Sequence, residues 1–240
     1  MRYVVGLSGG KDSTALALRL ADVEPQDYEY LITPTGNELP EMLAHWEKLE
    51  GLLGKKLIRV TAAKNLEGLI EFFNAIPNHR QRWCTRILKI EPTIAWLQQN
   101  QPAILYVGLR ADEEDRQGIY NEQVICRFPL REWGWTIDDV RGYLRERAVT
   151  IPRRTDCAWC YGQQLQDWRE LWRDHPELYA RAIVIEERTG YSFRSPTRDK
   201  WPVKLSDLAI AFAAGRIPPR SRDQLDLLDN EYQACRVCSL

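Results

Sequence analysis

Ser8-Gly9-Gly10-Lys11-Asp12-Ser13 follows the strand-like run Arg2 to Leu7 and opens a helical pattern. A strand, a glycine turn and a helix in that order make an anion site. The glycines let the backbone turn with its N–H groups inward, and the helix N-terminus adds the positive end of a dipole. Lys11 contributes a full charge, while Ser8 and Ser13 add hydroxyl donors. Such a set suits a pyrophosphate. It is not a Walker A loop, because Gly6 and Gly10 are too close for G-x-x-x-x-G-K and Asp12 stands where Ser or Thr would hold magnesium. Hydrolysis at a γ-phosphate in that manner is therefore disfavoured.

Further along, Thr35-Gly36-Asn37-Glu38-Leu39-Pro40-Glu41 follows the second β-rich run, at the carboxyl end where ligands of open α/β sheets gather. Arg80, Arg82, Arg86 and Lys89 read equally well as an anion-binding set or as a solvated basic face. In Gly108-Leu109-Arg110-Ala111-Asp112-Glu113-Glu114-Asp115-Arg116, the two arginines can hold phosphate oxygens bidentately. The acidic residues Asp112 to Asp115 can orient those arginines or hold Mg2+, and the bland alternative is a surface turn of mixed charge.

Two i, i+3 thiol pairs, Cys157/Cys160 and Cys235/Cys238, could close a tetrahedral metal site between a subdomain and its tail. In a reducing compartment this reading is preferred to disulfides. Cys126, inside Val124 to Phe128, reads as a strand residue. The 3 histidines, His45, His79 and His175, are scattered and form no catalytic constellation.

These segments resemble the PP-loop ATP pyrophosphatases, in particular the PAPS reductase-like family, over about residues 3 to 148. SGGKDS is the signature loop of that superfamily. Thr35 to Glu41 is similar to its T-G-x-E-x-P-E segment, with Pro34 where Asp is often found. Arg82 to Pro92 resembles R-x-C-x-x-x-x-K-x-x-P. Gly108 to Arg116 resembles G-x-R-x-x-E-[ST]-x-x-R, although Glu114 replaces the hydroxyl residue and Arg116 falls early. Phe128-Pro129-Leu130 and Trp135 to Val140 are similar to a stretch that links sheet to helix.

The resemblance implies an adenine nucleotide alpha-hydrolase-like fold and an adenine nucleotide, ATP or PAPS/APS, bound by Ser8, Gly9, Gly10, Lys11, Asp12 and Ser13. Thr35, Gly36, Arg86, Lys89, Gly108, Arg110 and Glu113 would complete the nucleotide site, with Lys11, Arg110 and Arg116 in catalysis beside Mg2+. Cys84 aligns with one cysteine of the pair that, with a downstream CxxC, holds an iron–sulfur cluster in APS reductases. Trp83 and Thr85 flank it here, so that pair is absent. Cys84, Cys157, Cys160, Cys235 and Cys238 are thus candidate ligands of an iron–sulfur cluster, with zinc as the alternative.

The expected activity is adenylation for sulfur transfer, of the DNA phosphorothioation or tRNA thiolation type. Partners would be a sulfur donor, such as a cysteine desulfurase or a thiol carrier, and a DNA or RNA acceptor. Arg141, Arg145, Arg147, Arg153 and Arg154, with Trp133, Trp135 and Trp159, could meet such an acceptor, though tryptophans at helical spacing are more often core. The alternatives are a sulfonucleotide reductase, whose E-C-G-[IL]-H tail is not matched by Cys-Ser-Leu, and a non-catalytic nucleotide-binding subunit.

The elements that must position these residues alternate. Arg2 to Leu7, Tyr28 to Thr33, Leu57 to Thr61, Ala103 to Leu109 and Gln123 to Phe128 read as strands. Ser13 to Asp22, Pro40 to Leu53, a segment with Leu66, Ile70 and Phe73, one starting at Pro92, and Thr136 to Arg147 read as helices. This predicts a parallel Rossmann-like α/β sheet of about five strands covered by helices. After Ile151-Pro152 the spacing of Leu165, Trp168, Leu171 and Trp172 predicts helices. The organisation expected is a nucleotide-binding domain over 1–149 and a mostly helical C-terminal subdomain over 150–240. Lys plus Arg number 33 against 34 Asp plus Glu, so a polyanion would have to be met by a local patch. No apolar run approaches the ~18 residues of a membrane span, and Arg2 to Leu7 leaves no room for a leader, which makes the cytoplasm the expected compartment.

Overall fold

The computed structural model describes residues 1–113, 124–196 and 198–219. Five strands form one parallel sheet: β1 (Arg2–Gly6), β2 (Tyr28–Ile32), β3 (Ile58–Arg59), β4 (Ala103–Tyr106) and β5 (Ile125–Arg127), in the order β3-β2-β1-β4-β5. Val4 pairs with Glu29 on one side and Leu105 on the other, so β1 is the central strand. Its side chains alternate between two cores. Val5 joins the cluster of Leu16, Leu20, Met42, Trp46 and Leu144, and Val4 joins that of Leu31, Ile90, Leu97 and Leu105. A sheet covered on both faces is why these strands read as continuous apolar runs.

The helices that follow the first strands are α1 (Lys11–Val23), α2 (Pro40–Leu53) and α3 (Leu66–Phe73). The helix expected from Pro92 begins earlier, as α4 (Trp83–Thr85), a π-helical turn over Arg86–Ile90, and α5 (Glu91–Gln99). Pro92 explains the π turn. It has no N–H for the carbonyl of Leu88, and its ring would press on that carbonyl in a regular α-helix. Widening the turn, with Glu91 N–H bonded to the Arg86 carbonyl, accommodates it.

After β5 come α6 (Pro129–Glu132) and α7 (Ile137–Glu146), the latter opened by a capping box in which Thr136 N–H donates to Asp139 Oδ2 at 2.7 Å. The expected strands at Leu57 to Thr61 and Ala103 to Leu109 are shorter in the structure. At Val107 the chain leaves the sheet to build the turn that carries Arg110. Gln123, expected in the last strand, lies outside the described residues.

The C-terminal part holds α8 (Leu165–Asp174), α9 (Pro176–Thr189) and α10 (Leu205–Ala213). Their apolar faces form a third cluster, in which Trp159, Trp168, Leu171 and Leu208 pack with Leu39, Leu66, Ile70 and Leu88 of the sheet region. No helix among the described residues is long and apolar enough to cross a membrane.

Candidate functional site

The sheet reverses its winding between β1 and β4, and the loops after these strands face each other across that switch point. After β1, Gly9 adopts a left-handed φ of 84°, and a Cβ there would stand 2.2 Å from Met42 Cε. Only glycine fits. Hydroxyls tie the loop together: Gly10 N–H donates to Ser8 Oγ at 3.2 Å, Ser13 Oγ donates to the Gly10 carbonyl at 3.2 Å, and the two serine oxygens are 3.0 Å apart.

No side chain caps α1, and its first backbone bond runs from Thr14 N–H to the Gly10 carbonyl at 3.0 Å. The preceding amides of the first turn are thus available to an anion. Two side chains of α2 hold the loop from behind. Trp46 Nε1–H donates to the Ser8 carbonyl, and His45 Nε2 bonds the Gly9 carbonyl, both at 3.1 Å. Burial holds the His45 ring down to a pKa of about 4, partly offset by that carbonyl, so the ring is neutral and Nε2 carries the donated proton. Neither residue was singled out from sequence, because a separation of more than thirty-five positions leaves no local pattern.

Lys11 is buried, with Nζ 2.7 Å from Asp12 Oδ2. Burial lowers its pKa, and Asp12 opposes that shift. From the loop after β4, Arg110 Nη1 reaches Asp12 Oδ1 at 3.0 Å and Nε reaches Asp112 Oδ1 at 2.8 Å, with Glu113 at 3.6 Å. Burial works against the Arg110 charge, but these carboxylates outweigh it and its pKa is raised. Asp112 and Glu113 thus orient the arginine. Arg131 supports the same turn through the carbonyls of Arg110 and Glu113. Gly108 lets the two loops approach, since a Cβ there would lie 3.1 Å from the Ser13 nitrogen.

Beside this network lies a cleft of ≈ 700 Å³, open solvent included. The ends of β1, β2 and β4 supply Ser8, Leu31, Thr33, Leu105 and Val107, α2 supplies Met42 and Trp46, and Lys89 and Thr93 come from the helix with the π turn. Glu38, Thr155, Asp156 and Cys157 complete the lining. Lys11 and Arg110 stand next to the cleft, joined through Asp12, and are not among its lining side chains.

Thr35 and Gly36 lie in a turn held by Glu38, whose carboxylate accepts from Thr35 N–H at 2.6 Å, Thr35 Oγ1–H at 2.7 Å and Gly36 N–H at 3.0 Å. Thr35 Oγ1 is also 3.3 Å from Cys157 Sγ. Arg86 is exposed and pairs with Glu91 at 2.6 Å, and Arg116 lies outside the described residues.

Cys157 faces the cleft, while Cys84 and Cys160 lie near the Tyr161 hydroxyl, which burial pushes up to about 12 with Arg82 opposing and both thiols reinforcing. Among the described residues no group of three or more His, Cys, Asp or Glu side chains is placed to share a metal ion. The described thiols therefore do not make a metal site by themselves, and Cys235 and Cys238 lie outside the described residues. Cys126 sits in β5, where burial pushes its thiol up to about 11.

Of the expected nucleic-acid contacts, Trp159 is buried with its Nε1–H on the Leu178 carbonyl and offers no face to a base. Trp133 and Trp135 pack on each other and on the core, Arg154 is buried, and Arg147 pairs with Asp22. The core role of the tryptophans is the one the structure shows.

The fold and the sequence are shared with known proteins. A Candida auris phosphoadenylyl-sulfate (PAPS) reductase, crystallised as a phosphate complex, superposes with a TM-score of 0.51 at 14% identity, over 63% of this chain and 75% of that one. A Methanocaldococcus jannaschii protein described as uncharacterized protein MJ0066 is 25% identical over 198 residues, 74% of this chain. That match spans 40% of the relative's own length. The profile of the phosphoadenosine phosphosulfate reductase domain matches residues 2–153, more than half of the sequence and all of the sheet. By that match the chain belongs to the phosphoadenosine phosphosulfate reductase domain family, within the PP-loop superfamily.

Proposed function

We propose that this protein binds ATP at the loop after β1 and adenylates an acceptor for sulfur transfer, as DNA phosphorothioation or tRNA thiolation requires. The observation that carries the reading is the uncapped α1 terminus with Lys11, Asp12 and Arg110 bridging the switch point. In this mechanism an acceptor oxygen attacks the α-phosphorus of ATP and pyrophosphate leaves. A sulfur nucleophile from a donor protein or thiol carrier then displaces AMP from the activated acceptor.

The first-turn amides and Lys11 would stabilise the leaving pyrophosphate, with Arg110 opposite. Phosphate oxygens would take over the positions that Asp12 holds on both cations. Asp12 lies against both Lys11 and Arg110, and Asp112 and Glu113 lie against Arg110, so carboxylates stand beside the proposed polyphosphate site. Mg2+ would be held there by one or two of these carboxylates and the phosphates themselves, offsetting the charge of the nucleotide. The apolar side chains of Leu31, Met42 and Leu105 suit the purine. Cys157 places a thiol on the same cleft. No step is assigned to an iron–sulfur cluster or zinc: among the described residues no three His, Cys, Asp or Glu side chains are placed to share a metal ion.

Incubation with labelled ATP, Mg2+, a sulfur donor and nucleic-acid acceptors should release AMP and pyrophosphate in equal amounts. Release of ADP alone, or of nothing with any acceptor, would refute the proposal. Family membership favours a second reading, reduction of a sulfonucleotide to sulfite by a reduced thiol carrier. Sulfite produced from PAPS or APS without any acceptor would select it.

A further inference from the structure

The family match ends at residue 153, yet Thr155, Asp156 and Cys157 line the same cleft as Ser8 and Lys89. Thr155 Oγ1 lies against the phosphate loop, 3.6 Å from where a Cβ on Gly10 would stand. That oxygen is buried and has no hydrogen-bond partner among the described residues. Native proteins keep few such groups, since a buried hydroxyl without a partner forfeits its hydration.

The flanking residues hold it there. Arg154, 7% exposed, donates through Nε to Asp156 Oδ1 and through Nη2 to the Cys157 carbonyl, each at 3.1 Å. Ala158 N–H donates to the Asn37 carbonyl at 2.8 Å, and Cys157 forms an antiparallel bridge with Glu38. The hydroxyl is thus presented to the loop by its neighbours and has no structural bond of its own.

We propose that Thr155 is a phosphate ligand, its hydroxyl donating to an oxygen of the polyphosphate gripped after β1. This rests on the reading of that loop as the nucleotide site. A hydroxyl adds a donor without adding charge, beside cations already matched by carboxylates.

The test titrates ATP, inorganic pyrophosphate and adenosine into the full-length protein with Mg2+ by calorimetry, together with melting of the unliganded protein. Thr155→Val keeps the shape and removes the hydroxyl, and Thr155→Ser keeps the hydroxyl. Thr155→Val should bind ATP and pyrophosphate about 10-fold more weakly or worse, the loss expected for a bond to a charged group. Its adenosine affinity should equal the parent's, its unliganded melting temperature should be no lower, and Thr155→Ser should bind like the parent. If Thr155→Val binds ATP and pyrophosphate like the parent while Lys11→Ala does not, the role of Thr155 is refuted and the loop reading stands. If Lys11→Ala also binds like the parent, the loop reading fails and the inference falls with it. A lowered melting temperature with equal losses for all three compounds would mark Thr155 as a packing residue and overturn the proposal.

Discussion

His45 shows how one buried ring connects stability to the glycine loop after β1. Its pKa is held at about 4 against an ordinary 6.5, so between these values the unfolded chain binds a proton that the folded protein refuses. Stability is therefore full above about pH 6.5 and falls as the pH drops toward 4, by up to about 3 kcal/mol from this group. His45→Gln, which retains a donor without titrating, should be less stable than the parent at pH 7 and show a flatter decline between pH 6.5 and 4.5 in urea unfolding. Equal pH slopes for the two proteins would remove His45 from the account. The loop itself was legible in the sequence because a strand, glycines, a lysine and a helix start lie within a few positions. His45, Trp46 and Thr155 were not, because each meets that loop from a distant part of the chain.

Among the elements, the loop just after β4 packs closely on the start of α1 at Gly108. A methyl group at Gly108 would press on the backbone of Asp12 and Ser13, at 3.1 to 3.2 Å. Gly108→Ala should force these elements apart by a few tenths of an ångström, cost about 1–3 kcal/mol of stability, and weaken ATP binding. Denaturant midpoints and calorimetry check both effects. A variant as stable as the parent with unchanged affinity would show that the approach is looser than described. The alternation of strands and helices was readable from apolar periodicity, and α2 and α3 fall on the expected residues. The early start of the helix before Pro92 was not. A proline ordinarily marks a first turn, whereas here the helix runs on across it, with Leu88 and Ile90 buried in two different cores.

For the whole molecule, the shared third cluster decides how the chain unfolds. Trp159 and Trp168 from the C-terminal part pack with Leu66 and Ile70 of α3, so neither side has a complete apolar surface alone. Heat or urea should therefore unfold the protein in one transition, coincident by far-ultraviolet circular dichroism and tryptophan fluorescence. Two separated transitions would show that the halves are independent. The helical character of the C-terminal part was readable from the spacing of Leu165, Trp168, Leu171 and Trp172. Its attachment to the sheet region was not, because sequence periodicity identifies an apolar face without naming what covers it.

The bridge between Glu38 and Cys157 runs from one of these regions to the other. Glu38 clamps the Thr35–Gly36 turn by three hydrogen bonds, and two residues beyond Cys157 begins the packing of Trp159. A pull on α8 or α9 would be transmitted through this bridge toward the mouth of the cleft. The cleft and the outer helices are thus joined by a backbone link rather than by side chains alone.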